Sequence, residues 1–262
     1  MRAGLTPGLL DALRLNLANK TAPRRFFEVG RVFRPVKEGV VREMIAVSFV
    51  ILAESETRTH AGRAAADFAT AKKLVLDIAA AAGMPEARFR FAPVAGDDTA
   101  LWQSGHAALA TDRANQVEIR CGLVNVKAAK DRDIKGAVLA GEVRFASAAF
   151  VPAKRARFKN WAAFPPVTKD IALVVDAATP AGEVFEKVKG AAVKAAGKTL
   201  EVEAVNLFDV YTGTGLPEGK KSLAYGITFR AADRTLTDDE TGKAFDSIET
   251  SLEKGAGYAV RK

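Results

Sequence analysis

The sequence predicts an α+β protein in two parts, each built on an antiparallel sheet. Three observations carry this. Residues 102–110, 117–126 and 138–145 read as successive strands. After about residue 160 the order of elements is β-α-β-β-α-β. Between these regions lies a short basic stretch, residues 152–159 (PAKRARFK). Consecutive strands joined by short turns pair antiparallel, and helices gathered on such a sheet define the α+β class. The expected parts are residues 1–151, a tether at 152–160, and residues 161–262. A solvated tether is the ordinary reading of the basic stretch; contact with a nucleic-acid backbone is the other.

Composition bounds the function. Apolar residues make up 48% and charged residues 27% of the 262, as in an ordinary globular protein with a sizeable core. No apolar run approaches the roughly 20 residues that span a bilayer, and charge interrupts the first 20 residues too often for a signal peptide. Cys121 is the single cysteine, which excludes an internal disulfide and fits a reducing, cytoplasmic setting. The net charge of +8 suggests an anionic partner, nucleic acid first. Basic and acidic residues balance from residue 156 onward, so the whole excess lies in residues 1–155.

In the first part, Thr6-Pro7 opens a helix whose Leu9, Leu10, Leu13 and Leu17 share one stripe. Residues 24–33 (RRFFEVGRVF) read as a strand. Residues 44–52 (MIAVSFVIL) are almost wholly apolar, as in a strand buried on both faces. Residues 54–66 are polar and alanine-rich, a surface loop. A helix then runs from about Asp67 to Ala82 and stops at Gly83 and Pro85.

In the second part the expected elements are strand 168–176, helix 180–195, strands 200–212 and 222–230, helix 238–253 and strand 257–261. This is the split βαβ, ferredoxin-like plan. Thr179 and Pro180 suit the first helix start, with Val184, Val188, Ala191 and Ala195 as its apolar stripe. Thr237 and Glu240 form a capping box for the second helix, with Asp238 and Asp239 at the positive end of its dipole. Ala244, Phe245, Ile248 and Leu252 are its stripe. Gly213, Gly215, Pro217 and Gly219 mark a hairpin loop. Both helices cover one sheet face and leave the other open. Strict alternation places Leu173, Val175, Phe208, Val210, Leu223, Tyr225, Ile227 and Phe229 beneath the helices. It leaves Ala172, Asp209, Tyr211, Ser222, Ala224 and Gly226 on the open face.

Catalytic constellations are absent. Two histidines, His60 and His106, and one cysteine make no zinc set without carboxylates. Ser104-Gly105-His106 has no strand–serine–helix elbow around it. The glycines of residues 213–219 lead into a strand, not a helix N-terminus, so they cradle no phosphate.

Four ordered blocks carry a family resemblance: residues 164–176 (FPPVTKDIALVVD), 207–213 (LFDVYTG), 217–224 (PEGKKSLA) and 233–240 (DRTLTDDE). They resemble the anticodon-binding module at the C-terminus of bacterial phenylalanyl-tRNA synthetase β subunits. Residues 6–19 and 24–33 resemble the start of the same subunit's class II synthetase-like domain. The middle departs from the pattern: residues 102–106 (WQSGH) stand where the family has His-Pro-Gly-Arg, and residues 125–128 (NVKA) replace a Gly-x-hydrophobic-His-Pro turn.

The resemblance implies a catalytically silent synthetase-like domain at residues 1–151, packed on a catalytic α subunit, and a ferredoxin-fold anticodon-binding domain at 161–262. Arg25-Phe26-Phe27-Glu28 has the flavour of a class II ATP-gripping strand, but the glycine-rich partner motif is missing, and half a site cannot orient an in-line attack. ATP and magnesium are thus expected in the holoenzyme, an (αβ)₂ ligase joining phenylalanine to tRNA(Phe), with no cofactor in this chain. The family's upstream modules lie outside these residues, so either a portion of a longer subunit or a short natural form is expected. Ala172, Asp209, Tyr211 and Ser222 fall where the family reads the guanine that begins the anticodon. A base would lie flat on Ala172 or Tyr211, with Asp209 accepting from its N1–H and exocyclic amine and Ser222 adding a polar contact. Lys220, Lys221, Arg230 and Arg234 are candidates for phosphate contact. Three alternatives stand beside this: an ordinary solvated sheet face, a free-standing RNA-binding or regulatory protein that reuses the module, and an assembly scaffold touching no RNA.

Overall fold

The structure, a computed structural model, describes residues 1–20, 24–37, 39–53, 67–150, 163–197 and 199–261. The expected loop at 54–66, with His60, and the tether at 152–160 lie outside the described residues. The chain divides into two compact units, Met1–Arg155 and Ala156–Lys262.

The first unit is a six-stranded antiparallel sheet. It contains α1 (Thr6–Ala18), β1 (Arg25–Lys37), β2 (Val40–Leu52), α2 (Phe68–Ala81), β3 (Arg90–Pro93), β4 (Trp102–Thr111), β5 (Val117–Val124), α3 (Val126–Lys130) and β6 (Val138–Ala146). The strand order is β1-β2-β6-β5-β4-β3. One face packs Leu9, Leu10 and Leu13 of α1 against Val50, Leu52 and Trp102. The other packs Ala71, Val75 and Ala79 of α2 against Phe49, Ile51 and Val143. The end of β2 is therefore buried on both faces, as its unbroken apolar run requires.

Two helix starts show how this unit closes. Asp67 accepts from the Thr70 amide at 2.9 Å, and the Thr70 hydroxyl answers the Asp67 amide. The start of α1 has no local cap. Its orphan amides are met from a distance: Glu142 on β6 accepts from Leu5 N at 2.8 Å and Thr6 N at 3.0 Å, and from the Thr6 hydroxyl at 2.9 Å. Burial alone would raise the Glu142 pKa, but Arg144, the Thr6 amide and the Leu5 amide outweigh it and hold the carboxyl below its ordinary value. The strand expected at 117–126 ends earlier, at Val124. The Asn125 side chain accepts from Lys127 N at 2.9 Å and turns the chain into the short α3.

The second unit contains β7 (Val167–Asp176), α4 (Ala181–Ala196), β8 (Glu201–Tyr211), β9 (Lys220–Arg230), α5 (Asp238–Ala256) and β10 (Ala259–Arg261). Its sheet order is β10-β7-β9-β8, antiparallel throughout. This is the ferredoxin-like α+β arrangement. Val184 and Val188 of α4 and Ile248 and Leu252 of α5 bury Leu173, Leu223, Tyr225 and Phe229 on one face.

Helix α4 differs from expectation at its start. Pro180 stands at the cap position and makes no side-chain bond. The Thr179 amide instead donates to Asp176 O at 2.9 Å, closing a turn one step earlier. The capping box of α5 forms as read: the Thr237 hydroxyl accepts from Glu240 N, and Glu240 accepts from Thr237 N at 3.0 Å. No helix among the described residues is long and apolar enough to cross a membrane.

Candidate nucleic-acid interface

The open face of the second sheet is assembled by strand register. Directly paired residues share a face, so the ladder places side chains in rows running across the strands. One row is Arg261, Ala172, Ala224 and Asp209. The next is Ala259, Val174, Ser222 and Tyr211. A third holds Asp170, Gly226 and Asn206. Four residues singled out from sequence, Ala172, Asp209, Tyr211 and Ser222, therefore come together within two adjacent rows.

The strand β8 does not alternate strictly. Its register shifts between Leu207 and Asp209, so Leu207 pairs with buried Tyr225 and Phe208 is the extra residue of a β-bulge. Phe208 is 59% exposed and lies on the open face: a methyl at Gly226 would fall 3.8 Å from its ring and 3.3 Å from Asp170 Oδ1. This corrects the expectation that Phe208 packs under the helices. Val210 does pair with Leu223 on the helix side, yet stays 53% exposed because β8 is an edge strand that the helices do not reach at that end. The bulge adds a second aromatic ring to the open face beside Asp209, and only a shift in pairing could have shown it.

Tyr211 is held in place by its own loop. Its hydroxyl donates to Thr214 O at 2.9 Å, and its ring folds over Gly213 so closely that a Cβ there would lie 2.4 Å from it. The glycine of the LFDVYTG block is thus required by ring contact, not by a positive φ. Asp209 is exposed. Ser222 is only 4% exposed, so its hydroxyl is covered in the free chain.

The expected phosphate contacts fare differently. Lys221 pairs with Val175 on the helix side and donates to Ala177 O at 2.8 Å. Lys220 holds Asp176 at 2.7 Å. Arg230 is engaged by Glu203 and by Phe164 O. Arg234 follows the end of β9 remote from Ser222; that end, Arg230, is roughly 26 Å along the strand from Ser222 at 3.3 Å per residue. Arg234 is bound to Glu240 at 2.6 Å and Asp233 at 2.9 Å. The Arg234 guanidinium, with the Thr237 amide and hydroxyl, holds the Glu240 carboxyl down to about 2. Lys221 and Arg234 are therefore not brought to the platform. The cation that is brought there is Arg261, which sequence reading passed over: its guanidinium lies 5.2 Å from the centre of the Tyr211 ring. Its signal was positional, an arginine at open-face parity in the last strand.

The first unit carries two further surfaces. On the α1 face, Arg34 holds Glu118 at 2.7 Å, Arg120 holds Asp98 at 2.7 Å and Arg144 holds Glu142 at 2.5 Å. These arginines are already paired with carboxylates. Among the described residues no group of three or more His, Cys, Asp or Glu is placed to hold a metal. Cys121 is buried, which pushes its thiol up to about 12. On the α2 face the edge strand β1 exposes Phe27 (77%) and Val29 (60%) next to Ile45 (41%) of β2.

The chain thus pairs an antiparallel-sheet unit with a βαββαβ unit whose open face bears aromatic rings and a carboxylate, and the class of protein is given by its family matches. Residues 162–261 match the model of the ferredoxin-fold anticodon binding domain. Residues 1–145 match that of the phenylalanyl tRNA synthetase beta chain CLM domain, and the chain belongs to this family. Along its whole length it is 30% identical to the phenylalanine–tRNA ligase beta subunit of Symbiobacterium thermophilum over 269 residues, 28% of that protein. It is likewise 31% identical to the Bacillus cereus and Pseudomonas fluorescens subunits, covering 31% of each. The chain thus spans under a third of the length of the curated relatives it matches.

Proposed function

We propose that this chain works as the C-terminal portion of a phenylalanine–tRNA ligase beta subunit, its second unit reading the guanine that opens the tRNA(Phe) anticodon and its first unit packing on the catalytic alpha subunit. The observation that carries the anticodon reading is the row in which Ala172 and Ala224 form a flat floor beside Asp209, with Ser222 and Tyr211 in the next row. A guanine laid on that floor presents N1–H and its exocyclic amine to Asp209, two donors matched to two carboxylate oxygens. Adenine offers an acceptor at N1 and is repelled. The rings of Tyr211 and Phe208 stand beside the floor for stacking, a contact worth about 1–3 kcal/mol per base. Charge balance in this unit accords with reading a splayed loop by stacking and base-edge bonds rather than by phosphate attraction.

Packing on the alpha subunit is supported by the exposed stripe of Phe27, Val29 and Ile45. ATP and magnesium belong, on this reading, to the partner's active site.

The test is titration of the full chain with an anticodon stem-loop at fixed salt, because backbone contacts make affinity salt-dependent. The guanine loop should bind roughly 10- to 100-fold tighter than one with adenine at that position, the value of one bidentate base contact. Asp209→Ala should erase the difference. Equal affinity for both loops in the unaltered chain would reject base reading at this face. An unchanged preference in Asp209→Ala would reject the assigned role of the carboxylate.

A further inference from the structure

Arg261 has no part in the reading above, yet its position is specific. It ends the short edge strand β10 and pairs with Ala172. It shares its row with Asp209, at the opposite edge of the sheet, with only the methyl groups of Ala172 and Ala224 between them. Three strand spacings separate the two, about 14 Å. The small residues let the long side chain lie across the sheet, so that its guanidinium arrives 5.2 Å from the Tyr211 ring centre. Lys220, Lys221, Arg230 and Arg234 each have a protein acceptor. Among the described residues the guanidinium of Arg261 has none; its partner is a ring face, a contact worth about 0.5–1 kcal/mol at an exposed site. A fork of donors is thus held loosely over the place where a base would stack. Two van der Waals gaps of about 3.5 Å are needed to seat a ring between two planes, more than the present 5.2 Å, so a base on Tyr211 must displace the guanidinium.

Resting on the anticodon reading proposed above, we infer that Arg261 is a second guanine-reading residue, and that its guanidinium leaves the Tyr211 ring to donate to N7 and O6 of the base whose other edge is held by Asp209. The chemistry is complementary. With the N1–H and amine edge turned toward β8, guanine turns its N7 side toward β10, where Arg261 originates. Arginine's planar fork matches N7 and O6 bidentately, as a lysine cannot. The carboxylate then checks for donors on one edge and the arginine for acceptors on the other. Adenine fails both, since it has an amine in place of O6.

The experiment changes single atoms of the base. Stem-loops carrying guanine, 7-deazaguanine or inosine at the first anticodon position are titrated against the full chain and against its Arg261→Met, Arg261→Lys and Asp209→Asn variants. 7-Deazaguanine lacks the N7 acceptor and inosine lacks the exocyclic amine. For the unaltered chain, 7-deazaguanine should weaken binding about five- to tenfold, part of the value of a bidentate contact. That penalty should vanish in Arg261→Met and shrink in Arg261→Lys, while the inosine penalty persists in both. Asp209→Asn should show the converse. An equal 7-deazaguanine penalty in the unaltered chain and Arg261→Met would overturn the inference. So would uniform weakening of all loops with a salt slope lower by about one, the mark of a phosphate contact. Should the unaltered chain fail to distinguish guanine from adenine at all, the anticodon reading itself falls.

Discussion

The side chains of the open face owe their usefulness to what their neighbours lack. Tyr211 can lie flat because Gly213 has no Cβ; an added methyl would sit 2.4 Å from its ring. Gly213→Ala is therefore expected to push the ring off its present site. Affinity for the guanine stem-loop should fall roughly tenfold, within the range of one stacking contact, while the melting temperature stays unchanged because the loop buries no core. Calorimetric titration beside a thermal melt checks both halves. Gly213 was legible in sequence as a loop residue. That it serves a ring contact was not, because the φ that usually explains a glycine is unremarkable here. Arg261 escaped in the same way: no local pattern marks an arginine whose partner, Tyr211, lies 50 positions earlier in the chain and across the sheet.

At the scale of elements, periodicity and caps were read most accurately where a helix satisfies itself. The Thr237–Glu240 box is local and was visible in sequence; at Asp67–Thr70 sequence showed the helix start, and the structure added the box. Helix α1 depends instead on Glu142, more than a hundred residues away and 2% exposed. Replacing it with alanine leaves the Leu5 and Thr6 amides and Arg144 without their acceptor. Glu142→Ala should cost the first unit about 3–5 kcal/mol, read as a lower urea midpoint by circular dichroism. The pH sign follows from its lowered pKa. The contribution is complete above the ordinary carboxylate value of 4.5 and drains away as pH falls through the lower folded value. The gap between variant and unaltered chain should therefore close in acid. The bulge in β8 belongs to this scale too. Strict alternation assigned Phe208 to the core, and one extra residue in the ladder turned it to the open face.

For the whole molecule, each unit has one surface that its own core leaves unused. In the first it is the stripe of Phe27, Val29 and Ile45 along β1 and β2. Phe27→Thr should alter stability by no more than about 0.5 kcal/mol, as exposed sites do. It should also weaken co-purification with the alpha subunit, and undiminished association would show that this stripe is not the contact. The two-part α+β plan, the elements of the second unit, the Thr237–Glu240 capping box and four members of the platform were determined by sequence alone. Each follows from patterns spanning a few residues: alternation, helical spacing, turn glycines, and blocks shared with a family. The remote cap on α1, the bulge at Phe208, the neutralised arginines of the α1 face and the reach of Arg261 toward Tyr211 were decided only by tertiary structure. Each joins residues far apart in sequence, and strand register, which sets who faces whom, is a property of the assembled sheet rather than of any one strand.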